Sequence, residues 1–171
     1  MPASRQDLFA RLAELGIKTQ TVEHPATFTV AESEKLGPTL PGADTKNLFL
    51  RDEDGVLFLV IAKSTTRVDL KALSRRLGAK RFSFGKPELL IEALGVPPGS
   101  VTPFALINDR SQQVRPVIDR ELMNADSINC HPLENTATTN IAREDLIKFI
   151  RRCGHEATIA TLAAEMPPAA S

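Results

Sequence analysis

The sequence predicts a mixed α/β (α+β) fold, one mainly antiparallel sheet with helices packed on it, in a single domain spanning residues 1–166. Strand-like apolar runs come in hairpin pairs, amphipathic helical segments are interspersed among them, and no strict strand–helix–strand alternation appears. A chain of 171 residues, 42% of them hydrophobic, can bury one core without disulfide or metal staples.

Ser4 can cap a first helix running to Gly16, with Asp7 at the third helical position and Leu8, Leu12 and Leu15 on one face. Ile17 to Glu23 reads as a strand, and Thr29 with Glu32 opens a short helix over Val30 to Leu36. Gly37 to Lys46 is rich in turn formers and reads as a loop. Asn47–Asp52 and Val56–Ala62, joined by Glu53-Asp54-Gly55, form a hairpin. Asp69 to Leu77 is a helix stopped by Gly78, Arg81 to Phe84 a short strand, and Pro87 opens a helix that ends at Gly95. Val101–Asn108 and Val114–Asp119 read as strands, as do Ser127–His131 and Ala137–Ile141. Ile141 to Cys153 is an amphipathic helix, His155 to Leu162 a last strand, and the tail 167–171 reads as disordered.

Composition narrows the function. Acids and bases balance at 21 each, which excludes a uniformly basic nucleic-acid coat. Trp and Tyr are absent, which removes the usual stacking platforms, and Phe28, Phe49, Phe58, Phe82, Phe84 and Phe104 sit in apolar runs that read as core. Two cysteines, Cys130 and Cys153, make neither a disulfide framework nor a zinc motif, so no metal or cofactor is expected and a reduced cytoplasmic setting is the default. No apolar run approaches membrane-spanning length, so no membrane association is expected.

Charge is nonetheless uneven. Between Lys63 and Lys86 stand Lys63, Arg67, Lys71, Arg75, Arg76, Lys80, Arg81 and Lys86 against the single acid Asp69, a local net charge of +7. Arg67, Lys71 and Arg75 recur every four residues. They make either a solvated helix face or a surface for phosphates. Lys46, after a Gly/Pro-rich loop, is either merely exposed or placed to meet a phosphate as a point charge. Gly99-Ser100-Val101-Thr102-Pro103 is either a plain turn or a bend that brings backbone N–H groups close to an anionic oxygen. His131 is either a structural histidine or one that orients a hydroxyl or a water. No HxxxH, CxxC or GxSxG motif occurs, so no nucleophile or metal site is identified.

Three segments carry a resemblance when taken together: Thr45-Lys46-Asn47-Leu48-Phe49-Leu50-Arg51-Asp52, the run Pro98 to Leu106 containing the Gly99–Pro103 bend, and His131-Pro132-Leu133-Glu134-Asn135-Thr136-Ala137-Thr138-Thr139. Val22-Glu23-His24-Pro25 with Phe28-Thr29-Val30 also fits. In their order and spacing these resemble the YbaK/prolyl-tRNA-synthetase-associated editing family, nearest its free-standing alanyl-tRNA(Pro) deacylase branch. The resemblance covers nearly the whole chain. Cys130 departs from the aromatic or apolar residue expected before the histidine.

The resemblance implies a barrel-like central sheet and hydrolysis of the ester joining a wrong amino acid to the tRNA 3′ end. It implies that Lys46 holds the terminal adenosine, that Gly99 with Ser100, Val101, Thr102 and Pro103 shapes the aminoacyl pocket, that His131 supports the site and that Asn47 lines it. Val30, Phe49 and Ile61 are candidates for an apolar wall. No covalent nucleophile is expected; the substrate 2′-hydroxyl is expected to position water. Lys63, Arg67, Lys71, Arg75, Arg76, Lys80 and Arg81 are candidates to touch the acceptor stem. The expected partner is aminoacylated tRNA, with prolyl-tRNA synthetase as a second candidate. A cysteinyl-tRNA(Pro) deacylase and a non-catalytic tRNA-binding adaptor are the alternatives.

Overall fold

The computed structural model describes residues 2–26 and 40–164. The expected helix over Val30 to Leu36, the wall candidate Val30 and the tail 167–171 lie outside the described residues. Helix α1 (Arg5–Glu14) starts as the sequence predicts: Ser4 Oγ accepts from the Asp7 N–H, Asp7 accepts from the Ser4 N–H, and Leu8 and Leu12 are buried. Strand β1 (Thr19–Glu23) follows, then β2 (Ala43–Asp52) and β3 (Leu57–Lys63), paired antiparallel with Asn47 opposite Ile61. The expected loop through Lys46 is corrected, because β2 already begins at Ala43. Gly42 makes this early start possible: a side chain there, at φ +90°, would lie 2.5 Å from Ser127 Oγ. The glycine lets β2 come directly alongside the strand that starts at Ser127.

Helix α2 (Leu70–Arg76) is capped by Asp69, which accepts from the Ala72 N–H. That cap leaves Arg67 outside the helix, so the expected three-residue basic stripe reduces to Lys71 and Arg75. Short β4 (Phe82–Phe84) and α3 (Pro87–Leu94) come next. The expected strand over Val101–Asn108 is corrected to a 3₁₀ helix, Pro103–Asn108. Proline suits a first helical position, Thr102 caps it by accepting from the Phe104 N–H, and Pro103 to Leu106 are all buried, so the run carries no alternation to distinguish strand from helix. Strand β5 (Val114–Asp119) leads through a second 3₁₀ turn (Arg120–Asn124) to β6 (Ser127–Cys130) and β7 (Ala137–Ala142). Helix α4 (Arg143–Arg152) buries Leu146, Phe149 and Ile150, and β8 (Thr158–Ala160) ends the described fold.

The eight strands form a mixed sheet in the order β1-β7-β6-β2-β3-β5-β8, with β4 on the same edge of β2 as β6. Pairings β1–β7, β6–β7, β2–β3 and β2–β4 are antiparallel, while β2–β6, β3–β5 and β5–β8 are parallel. Central β3 is buried on both sides, which accounts for its unbroken apolar run. Leu57, Leu59 and Ile61 enter the larger apolar cluster with Phe49, Phe104, Cys130 and Phe149; Phe58, Val60 and Ala62 enter a smaller one with Leu50, Leu73 and Phe82. Phe84, expected in the core, is 64% exposed because β4 is an outer strand and ends there. Among the described residues, no helix is long and apolar enough to cross a membrane.

Candidate functional site

Strand β2 is covered unevenly along its outer edge. Parallel β6 pairs with Ala43 and Asp44, antiparallel β4 pairs with Leu50 to Asp52, and the Gly85 N–H donates to the Phe49 carbonyl at 2.9 Å. Between these ends, no strand of the described residues pairs with Thr45 to Leu48 on this side. Because Phe49 turns its carbonyl outward, backbone alternation turns the N–H and C=O of Asn47 toward the same open edge. Unpaired edge groups of this kind are ready to bind a ligand's polar atoms.

His131 is delivered to this gap by topology. Strand β6 runs parallel to β2 with Asn129 opposite Asp44, so the chain beyond Cys130 heads toward the level of Lys46 and Asn47. The His131 Nδ1 donates to the Ala137 carbonyl at 2.9 Å, which fixes the tautomer and leaves Nε2 with its lone pair. Burial lowers the His131 pKa from its ordinary value, with a further contribution from His24, outweighing the bond to Ala137. The His24 ring centroid lies 6.1 Å away, and His24 Nε2 is 2.7 Å from Thr138 Oγ1. Arg5 holds the segment after His131 from outside, pairing with Glu134 at 2.8 Å and also with Glu23.

Strand alternation separates Lys46 from Asn47. The register sets Thr45, Asn47 and Phe49 on the face of Ile61 and the larger cluster, and Lys46 on the face of Ala62. Both side chains are half-buried at the edge. On the Asn47 side, Thr45 Oγ1 donates to the Asn129 carbonyl at 2.7 Å and Asn47 Nδ2 donates to Thr45 Oγ1 at 3.4 Å. Asn47 Oδ1 is shielded from solvent and has no hydrogen-bond partner among the described residues. An acceptor left so costs about 1–3 kcal/mol, a debt a ligand donor would cancel.

The Gly99–Pro103 bend borders the larger apolar cluster. Val101 packs against the cluster that holds Phe49 and Cys130, while Ser100, Thr102 and Pro103 are buried. No hydrogen bond among the described residues links the bend to Lys46 or His131. The Ser100 N–H is committed to the Pro97 carbonyl at 3.1 Å, so it is not a free oxyanion donor. Gly99 sits at φ +92°, where any side chain adds about 1–2 kcal/mol of backbone strain. Substitution at Gly99 therefore perturbs stability as well as the pocket.

The basic residues scatter. Arg67, Lys71, Arg75, Lys80 and Arg81 are exposed, and Lys63 is half-buried at the end of β3. The Arg76 guanidinium instead donates to the Thr161 and Ala163 carbonyls, at 2.7 and 2.6 Å, and ties α2 to the chain after β8. The site residues that sequence reasoning missed are Thr45, Asn129 and Thr138, and with them the proximity of His24 to His131. Pairing of β1 with β7, Glu23 opposite Ala137, brings these histidines together, and no local sequence pattern encodes it. Among the described residues, no group of three or more His, Cys, Asp or Glu is placed to hold a metal.

Comparison with known proteins gives this arrangement a family. The profile of the aminoacyl-tRNA editing domain matches residues 24–149, a span from His24 through the open edge and His131 into α4. The chain belongs to the aminoacyl-tRNA editing domain family. Prolyl-tRNA synthetase associated domain-containing protein 1 of Danio rerio is 41% identical over 157 residues, covering 91% of this chain and 85% of that one. The prolyl-tRNA editing protein ProX of Acetoanaerobium sticklandii is 34% identical, covering 89% and 93%. A crystal structure described as a candidate trans-editing enzyme for prolyl tRNA synthetase superposes with a TM-score of 0.73 at 22% identity, over 96% of this chain and 99% of that one, and shows the shared fold. In this editing domain, the family segment therefore includes Lys46, Asn47, the Gly99–Pro103 bend and His131.

Proposed function

We propose that this editing domain hydrolyses the ester of mischarged tRNA(Pro), with alanine as the amino acid removed. The observation that supports the reading is the stretch of β2 at Lys46 and Asn47 that no strand of the described residues pairs on its outer side, with β6 running parallel to β2 and ending one residue before His131. Lys46 meets the phosphate or sugar of the terminal adenosine as a point charge from one face. The outward Asn47 N–H at the gap is available to the tetrahedral oxyanion. Cys130, beside His131, has a thiol pushed up to about 12 by burial, so it is no nucleophile and the attacking group is water. An aminoacyl ester is already activated, and water positioned by the substrate 2′-hydroxyl with a hydrogen bond to His131 suffices.

Editing by size follows from pocket energetics. A synthetase site that fits proline rejects smaller alanine weakly, because each missing methylene is worth only about 1–3 kcal/mol; a second, smaller cavity reverses the preference. Phe49 and Ile61, buried on the Asn47 face, are the proposed wall. The exposed bases Arg67, Lys71, Arg75, Lys80 and Arg81, with Lys63, are proposed to meet the acceptor stem, and the synthetase that makes the error is a second proposed partner.

The test is release of labelled amino acid from tRNA(Pro) charged with alanine, cysteine or proline. Alanine is expected to be released and proline spared. Preferential release of cysteine would change the substrate, and no release with enzyme in excess would leave a tRNA-binding adaptor. Activity should also carry an acidic limb: below the lowered His131 pKa, Nε2 is protonated and its lone pair is lost, so kcat/KM rises with pH through that value. After subtraction of spontaneous hydrolysis, His131→Gln should flatten the limb; an unchanged profile would remove His131 from the reaction.

A further inference from the structure

Strand β4 carries two phenylalanines on one side, and their environments are opposite. Phe82 pairs with Asp52 and Phe84 with Leu50, so both rings stand on the β2 face that bears Leu48 and Lys46. Phe82 is buried edge-on to Phe58, with ring centroids 5.0 Å apart. Phe84 is 64% exposed and is the one exposed phenylalanine among the described residues. Its backbone is held on both sides: Ser83 Oγ donates to the Arg51 carbonyl at 3.4 Å, and the Gly85 N–H donates to the Phe49 carbonyl at 2.9 Å. A side chain at Gly85 would lie 2.3 Å from the Phe49 ring, so glycine lets the chain lie close on β2 before Pro87 opens α3. Exposed Lys80, Arg81 and Lys86 flank the ring, and Glu88 is the acid nearest to it in sequence.

An aromatic ring held in solvent among cations suits a single-stranded nucleic acid: every base has a π-face to stack, and the cations meet the phosphates. We propose that Phe84 stacks on a base of the unpaired tRNA 3′ end, upstream of the terminal adenosine. The proposal rests on the deacylase reading above and names the part of the substrate that this ring holds. Position supports it. From Leu50, opposite Phe84, to Lys46 is four residues of β2, a span of about 13 Å. That span equals about four stacked nucleotide rises of about 3.4 Å, and fewer once the strand is extended. With the terminal adenosine at Lys46, the base that meets Phe84 is therefore one of the three preceding it. Because stacking tolerates any base, Phe84 serves to retain the 3′ end and not to choose among tRNAs.

The experiment pairs protein variants with tRNA variants. Wild type, Phe84→Ala, Phe84→Leu and Phe84→Trp are compared in subsaturating single-turnover assays on alanyl-tRNA(Pro), intact or abasic at one of the three positions before the terminal adenosine. Thermal melts confirm that each variant folds. On intact tRNA, Phe84→Ala and Phe84→Leu are expected to lower kcat/KM by about 10-fold, and Phe84→Trp to keep it. Removing one of the three bases should cost wild type a similar factor, and on that tRNA Phe84→Ala should lose nothing further. Activity of Phe84→Ala within about threefold of wild type on intact tRNA, or the same loss on the intact and all three abasic tRNAs, overturns the proposal and leaves the deacylase reading intact. A loss that appears only with prolyl-tRNA synthetase present makes Phe84 a protein contact and overturns it as well. Failure of wild type to release alanine from intact tRNA overturns both readings.

Discussion

Replacing Asp109 with alanine is expected to lower the unfolding free energy by about 3 kcal/mol. The Asp109 side chain is wholly buried. Its Oδ1 accepts from the Gln113 N–H at 3.2 Å, and its Oδ2 accepts from the Val114 N–H and from His155 Nε2, both at 2.8 Å. One carboxylate thus holds the end of the 3₁₀ helix, the first residue of β5 and the turn after α4. Alanine leaves three donors unpaired, two of them buried at Val114 and His155, and each such group costs about 1–3 kcal/mol. Urea unfolding measures the change; a shift below about 1 kcal/mol would mean that water or a rearranged neighbour replaces the carboxylate.

Lys46→Ala is expected to cut kcat/KM on mischarged tRNA by about 10- to 100-fold, the equivalent of one hydrogen bond to a charged group at about 1.5–3 kcal/mol. The side chain is half-buried at a strand edge, and its backbone stays paired opposite Ala62, so the melting temperature should barely move. Activity and melting measured on one preparation separate the two readings. A fall in activity of less than threefold, or a fall that tracks lost stability, would take Lys46 out of substrate binding.

Legibility in the sequence followed the range of the interactions. The capping box of α1 and the β2–β3 hairpin are encoded within a few residues and stand where the sequence places them, and α2 begins one residue after the expected start at Asp69, which caps it. Pro103 to Asn108 failed because its run Pro103 to Leu106 is buried throughout and has no polar side to set its period. Ala43 and Asp44 failed because their pairing depends on Ile128 and Asn129, far along the chain, and on the absence of a side chain at Gly42, while Thr45 and Lys46 extend the pairing with β3 to Ala62 and Lys63. The chemistry divides the same way. Lys46, Asn47 and His131 were visible as residues in motifs, whereas the open edge exists only once β6 and β4 pair with different ends of β2. The orientation of the Asn47 amide was further out of reach, since it depends on a single proton shared between Thr45 and Asn129.

The environment of Cys130 bears on how the domain withstands oxidants. Its sulfur is buried, and desolvation keeps the proton on it far above neutral pH despite the Thr45 hydroxyl nearby. Peroxide and alkylating reagents attack the thiolate, which is essentially unpopulated at this position. A sulfur next in sequence to the histidine proposed to act at the ester thus behaves as an inert filler, and the proposed hydrolysis should persist under stress that inactivates enzymes built on a reactive thiol.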